Sequence, residues 1–133
     1  MIGVDTNVLV RLLLPDDDPA QSKAARTLFE SNFVWIAKTV LLETSWVLTR
    51  IYGVEEGLVS DQFTALLGLE TVHVEDPIAV GAALALVEHG LEFSDALHLT
   101  SRPAGTEFAS FDKTFVSRAI RAGVAGVRRL KGH

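Results

Sequence analysis

The chain has 133 residues, no cysteine, 12 Lys plus Arg against 17 Asp plus Glu, and a formal net charge of −5. That balance excludes a uniformly basic nucleic-acid binder, and zero cysteine excludes disulfides, thiolate-bound zinc and a thiol nucleophile together. With 48% hydrophobic and 22% charged residues, the composition is that of a single folded domain over residues 1–133 rather than a disordered chain.

Met1 to Asp5 reads as a buried first strand, and Thr6 to Leu14 is apolar at helical spacing up to Pro15. Asp18 at the N-cap, Pro19 at the first helical position and Gln21 closing a capping box predict a helix to about Ser31. Capping and solvation account for Asp16, Asp17 and Asp18 better than a metal site does. Phe33 to Ala37 is aromatic and β-branched, as in a strand. Thr39 caps the next predicted helix, which ends at Tyr52-Gly53.

Further helices are expected over Glu55 to Leu69, from Asp76-Pro77 to a Gly90 terminator, over Ser94 to Arg102 and over Lys113 to Ala122. Strands are expected at Thr71 to Val74, Glu107 to Phe111 and Val124 to Leu130. Strands separated by helices of this length need crossover connections. The fold class is therefore α/β: three layers, with a central, mainly parallel sheet of roughly four or five strands flanked by helices. No apolar run reaches the roughly 18 residues of a membrane span, and Asp5 and Arg11 break the pattern of a secretory signal, so a cytoplasmic protein without a membrane partner is expected.

Charge is uneven along the chain. Residues 1–101 carry 5 basic and 15 acidic side chains, whereas residues 102–133 carry 7 basic and 2 acidic ones. A polyanionic partner near the C-terminal third and ordinary solvated helix faces explain this about equally well.

In an open α/β sheet, ligands bind beyond the carboxyl ends of the strands, which directs attention to the acids there. Asp5, Asp95 and Asp112 each stand at a helix start, where each is explained by capping or by the helix dipole. Glu43 is different: Val40, Leu41, Leu42, Trp46 and Val47 surround it, no Lys or Arg stands three or four residues away, and its carboxylate is expected to point into the protein. Were these four acids to converge, their repulsion would make sense only around a cation, and an oxygen-only set favours Mg²⁺ or Mn²⁺ over zinc. Of the histidines, His98 alone lies near an acid, and packing or support of Asp95 is its expected role; His133 is terminal.

The stretches Asp5-Thr6-Asn7-Val8-Leu9-Val10-Arg11, Leu41-Leu42-Glu43-Thr44-Ser45-Trp46-Val47-Leu48, Phe93-Ser94-Asp95-Ala96-Leu97-His98-Leu99 and Ser110-Phe111-Asp112-Lys113-Thr114-Phe115 resemble the acidic motifs of PIN-domain ribonucleases, in particular the VapC toxins of type II toxin–antitoxin pairs. The resemblance covers nearly the whole chain. It implies metal-dependent endonucleolytic cleavage of RNA by activated water, a homodimer, and a cognate antitoxin that blocks the site. Asp5, Glu43, Asp95 and Asp112 would form the acidic quartet, with Asp5 and Asp95 as direct ligands of Mg²⁺ or Mn²⁺ and Glu43 and Asp112 assisting. Thr6, Asn7 and Ser110 would support them, and Arg102, Lys113, Arg118 and Arg121 are candidates for holding RNA phosphates. Arg102-Pro103-Ala104-Gly105 departs from the helix that relatives often continue there. Two alternatives stand beside this reading: a haloacid-dehalogenase-like phosphatase, although position 7 is Asn where that chemistry wants a second Asp, and a catalytically inactive PIN-like binding module.

Overall fold

The computed structural model describes residues 1–132, so His133 lies outside the described residues. Its elements follow one another as β1 (Ile2–Gly3), α1 (Thr6–Leu13), α2 (Pro19–Ser31), β2 (Val34–Ile36), α3 (Lys38–Trp46), a π-helical turn (Val47–Ile51), α4 (Glu56–Leu67), β3 (Val72–Val74), α5 (Pro77–Val87), α6 (Phe93–Thr100), β4 (Phe108–Ser110), α7 (Lys113–Arg121) and β5 (Val127–Arg129). Every element expected from the sequence is present, with ends moved by a few residues.

All five strands pair in parallel, but in two ladders rather than one sheet. β2 lies between β1 and β3, with Ile2 opposite Val34 and Trp35 opposite His73, whereas β4 pairs only with β5, Ser110 opposite Arg129. β1 is thus an edge of its ladder. The expectation of a buried first strand fails for that reason: Ile2 is 40% exposed, while Val34 and Ile36 in the central β2 are fully buried.

Local chemistry explains most helix ends. Asp18 accepts a hydrogen bond from Gln21 N at 3.1 Å with Pro19 in the first turn, as expected. The Gln21 side chain does not close a capping box; its Oε1 accepts from Arg11 Nε at 2.8 Å, and the same guanidinium pairs with Asp17. Thr39 is not the cap of α3 either. Ala37 holds the N-cap position without a side-chain bond, and Glu75, from the end of β3, reaches over to accept from Lys38 N at 2.9 Å. The C-terminal turn of this helical run widens where Thr49 Oγ1 donates back to Ser45 O at 2.8 Å, and it closes at Gly53, whose φ of 69° suits only a residue without Cβ.

The core runs from Leu9 through Val34, Ile36, Leu41 and Leu48 to Phe63, Val80, Phe93 and Leu99, all essentially inaccessible. α3 packs on both α1 and α6, and α6 packs along α5. Glu43 is thereby carried between the helix that follows Asp5 and the helix that bears Asp95. Phe63 meets Phe93 edge to face at 5.1 Å, which seats the first turn of α6 on α4. Phe63→Ala should therefore lower the unfolding free energy by about 3–5 kcal/mol, measured by urea denaturation.

Candidate active site

Asp5 follows β1 and Asp112 follows β4, each at the carboxyl end of a parallel strand. Both cap the next helix: Asp5 Oδ1 accepts from Val8 N and Asp112 Oδ1 from Phe115 N, each at 3.0 Å. A cap engages one carboxylate oxygen and fixes the side chain's direction, leaving the second oxygen for another partner. The Ser110 hydroxyl accepts from Asp112 N at 3.0 Å, so Ser110 shapes the turn that presents Asp112.

Two open depressions meet along this edge and share Thr39 and Glu43. The first, about 560 Å³, is lined by Asp5, Thr6, Asn7 and Glu43; the second, about 710 Å³, is lined by Glu43, Glu92, Asp95, His98 and Asp112. The four acids of the sequence motifs are therefore divided between two neighbouring depressions, Asp5 on the first, Asp95 and Asp112 on the second, with Glu43 on both; the two together are termed the groove. Glu43 is exposed and not directed into the protein, because Leu41, Thr44 and Ser45 take the buried side of α3 and leave Glu43 on the open side. His98 is likewise exposed on the groove rather than packed inside.

Electrostatically the motif acids stand without ion pairs, Arg50 and His98 being the basic side chains that line the second depression. The four ion pairs among the described residues are Arg11–Asp17, Lys38–Asp76, Arg50–Glu92 and Arg128–Glu107, and none uses a motif acid. Asp76 makes the contrast plain: it also ends a strand and caps a helix, but Lys38 Nζ neutralises it at 3.0 Å. Asp95 is raised above its ordinary carboxylate range, first by burial and then by repulsion from Glu92 and Asp112.

Sequence reasoning missed three groups at this site. Trp46 is half exposed and walls the second depression, with the Arg50 guanidinium 5.6 Å from its ring. Glu92 adds a fifth carboxylate to that depression. Glu56 accepts from Phe93 N at 3.3 Å with one oxygen, supplying the cap that α6 lacks, while its other oxygen is buried without a partner. No local signal announces a cap that comes from 37 residues away.

The candidate phosphate ligands divide. Arg102 is committed to backbone carbonyls: its guanidinium donates to Thr106 O at 2.8 Å and Ala125 O at 2.6 Å, bracing the loop that follows α6, where the sequence departs from the helix of its relatives. Arg118 donates to Gly90 O at 2.7 Å. Each is a structural tie. Lys113 and Arg121 are exposed and make no ion pair among the described residues.

Among the described residues, no three Asp, Glu or His side chains are drawn together closely enough to hold a metal ion. In chemistry the four motif acids still fit a hard divalent cation, being oxygen donors, net negative and free of ion pairs among the described residues.

Parallel strands flanked by helices and ending in a groove of unneutralised carboxylates define an α/β protein with an acidic cleft of the kind divalent cations occupy. A model of the PIN domain family matches residues 2–120, and the chain belongs to that family. PIN domains are generally metal-dependent nucleases that use a divalent metal such as Mg²⁺ or Mn²⁺, and PIN nucleases bind RNA. This membership replaces the dehalogenase-like alternative. Neither a curated protein nor a solved structure matches the chain. No helix among the described residues is long and apolar enough to cross a membrane.

Two predictions follow from these assignments. Glu56 is raised above its ordinary range, chiefly by burial and further by Glu92 and Asp95, against the opposing bond from Phe93 N. The folded state therefore holds this proton more tightly than the unfolded chain, and the stability so contributed is lost as pH rises through the folded value. Glu56→Gln removes the effect, so its melting temperature relative to the parent should climb as pH rises through and above the ordinary glutamate range; a constant difference refutes the assignment. Arg102→Ala should lower the unfolding free energy by about 1.5–3 kcal/mol, the worth of charge-assisted bonds to two carbonyls.

Proposed function

We propose that this chain is a metal-dependent endoribonuclease of the VapC kind, a single nuclease domain acting in the cytoplasm as a homodimer and silenced by a cognate antitoxin that covers the groove. The observation that supports it best is the lining of these depressions: Asp5, Glu43, Asp95 and Asp112 all face them and none is ion-paired, the one ion pair there being Arg50 with Glu92.

In this reading Asp5 and Asp95 hold the cation directly, with Glu43 and Asp112 beside them. A bound Mg²⁺ or Mn²⁺ supplies charge neutralisation and Lewis acidity to a phosphodiester and its attacking water. The chain's own residues do the rest. The helix caps at Asp5 and Asp112 hold each carboxylate in one orientation, so no side-chain reorganisation is needed when substrate arrives. Thr6 and Asn7 line the groove next to Asp5, and Ser110 fixes the turn before Asp112. Trp46 gives the groove a flat apolar wall on which a base stacks, a contact that tolerates any sequence. The unpaired negative charges of the four motif acids repel phosphate until a divalent ion is bound, so RNA binding depends on the divalent ion as well as on salt.

Asp5→Asn and Asp95→Asn should each reduce RNA cleavage in Mg²⁺ or Mn²⁺ to background with the circular dichroism spectrum unchanged. Cleavage retained by both folded variants overturns the assignment, and a parent protein that folds but never cleaves RNA returns the chain to the inactive-module alternative. Inducible expression should arrest growth, and co-expression of the adjacent gene product should restore it; growth unaffected in both cases removes the toxin role.

A further inference from the structure

The basic residues of the C-terminal third are not equivalent. Arg102 and Arg118 bond to backbone carbonyls and Arg128 pairs with Glu107. Lys113, Arg121 and Arg129 instead line one shallow depression of about 540 Å³, together with Val116, Ser117 and Ile120, and no carboxylate lines it. All three are exposed, and none is ion-paired among the described residues. Holding three cations around one hollow is unfavourable unless an anion visits it.

The placement of this hollow is specific. Lys113, Ser117 and Arg121 recur every fourth residue on one face of α7, which sets the outer two about 12 Å apart along the helix axis. Arg129 comes from β5, where the parallel register puts it opposite Ser110 of β4. Ser110 shapes the turn that presents Asp112, and Asp112 lines the acidic groove while the next residue, Lys113, lines the basic hollow. Groove and hollow therefore adjoin at the start of α7.

We propose that Lys113, Arg121 and Arg129 form a phosphate-binding track that holds the RNA strand flanking the cleaved bond. The proposal rests on the nuclease reading above. An RNA strand is favoured over an acidic protein because the hollow continues the acidic groove and offers point charges in a row without an enclosed apolar pocket for a side-chain anchor.

The test is fluorescence anisotropy with a single-stranded RNA of about 20 nucleotides, measured with all four acids intact and Ca²⁺ in place of Mg²⁺ to suppress cleavage, over a range of monovalent salt. Adding Lys113→Gln, Arg121→Gln and Arg129→Gln together should weaken binding about tenfold and flatten the slope of log affinity against log salt by about 2, as expected for three lost phosphate contacts. Arg121→Lys with Arg129→Lys should keep most of both. Lys23→Gln with Arg26→Gln, which removes two exposed cations of α2, serves as the charge control and should leave binding unchanged. Affinity and slope retained in the triple variant overturn the track while leaving the nuclease reading intact. A triple variant that keeps RNA affinity but loses binding to a polyglutamate peptide also overturns it, in favour of an acidic protein partner. Should the parent bind RNA through these residues yet never cleave it, the track stands and the nuclease reading falls.

Discussion

Parallel pairing of very short strands is the constraint on which the rest of this molecule depends. A two- or three-residue strand cannot bury a core by itself, so β1 to β4 are each followed by a helix that covers the sheet, and within a parallel ladder those helices start at the same edge. Helix starts need acceptors for their free N–H groups. The edge is consequently rich in side-chain oxygens before any question of function arises, with Asp5, Glu75, Asp76 and Asp112 all serving α-helix N-termini.

What separates the candidate site from ordinary capping is the placement of cations. Asp76 has Lys38, and Asp17 has Arg11, so those acids are locally neutral. Along the groove from Asp5 to Asp112 the motif acids have no such partner, and burial, with repulsion from Glu92 and Asp112 added to it, raises the proton affinity of Asp95. Capping and ligation are therefore not competing explanations for Asp5 and Asp112. One oxygen of each serves the helix, and the other remains free for the groove.

Much of this was legible in advance. Gly53, Gly90, Pro19, Pro77 and the aspartates at strand ends mark element boundaries because their preferences are local, and the acid-bearing segments contain four of the five carboxylates that line the groove, Glu92 being the one left out. The failures share a cause in contacts between residues far apart in sequence. The cap of α3 comes from Glu75, that of α6 from Glu56, and Gln21 is drawn off by Arg11. The inward orientation expected of Glu43 failed because its apolar neighbours along the chain take the buried side of α3 and turn the carboxylate outward. Likewise the charge of Arg102 suggested a phosphate ligand, whereas its geometry makes it a brace for the turn at Gly105 and Gly126.

The bond from Arg118 to Gly90 O has a mechanical consequence. Gly90 stands in the turn that feeds α6, and Arg118 projects from α7, so this one guanidinium ties together the two helices whose starts carry Asp95 and Asp112. Those carboxylates push against each other. A side chain at position 90 would meet the guanidinium at 3.4 Å, and the positive φ of 89° already favours glycine there. The bond therefore couples the placement of the two helix starts, so that a change at position 90 or 118 reaches the groove without touching any of its carboxylates.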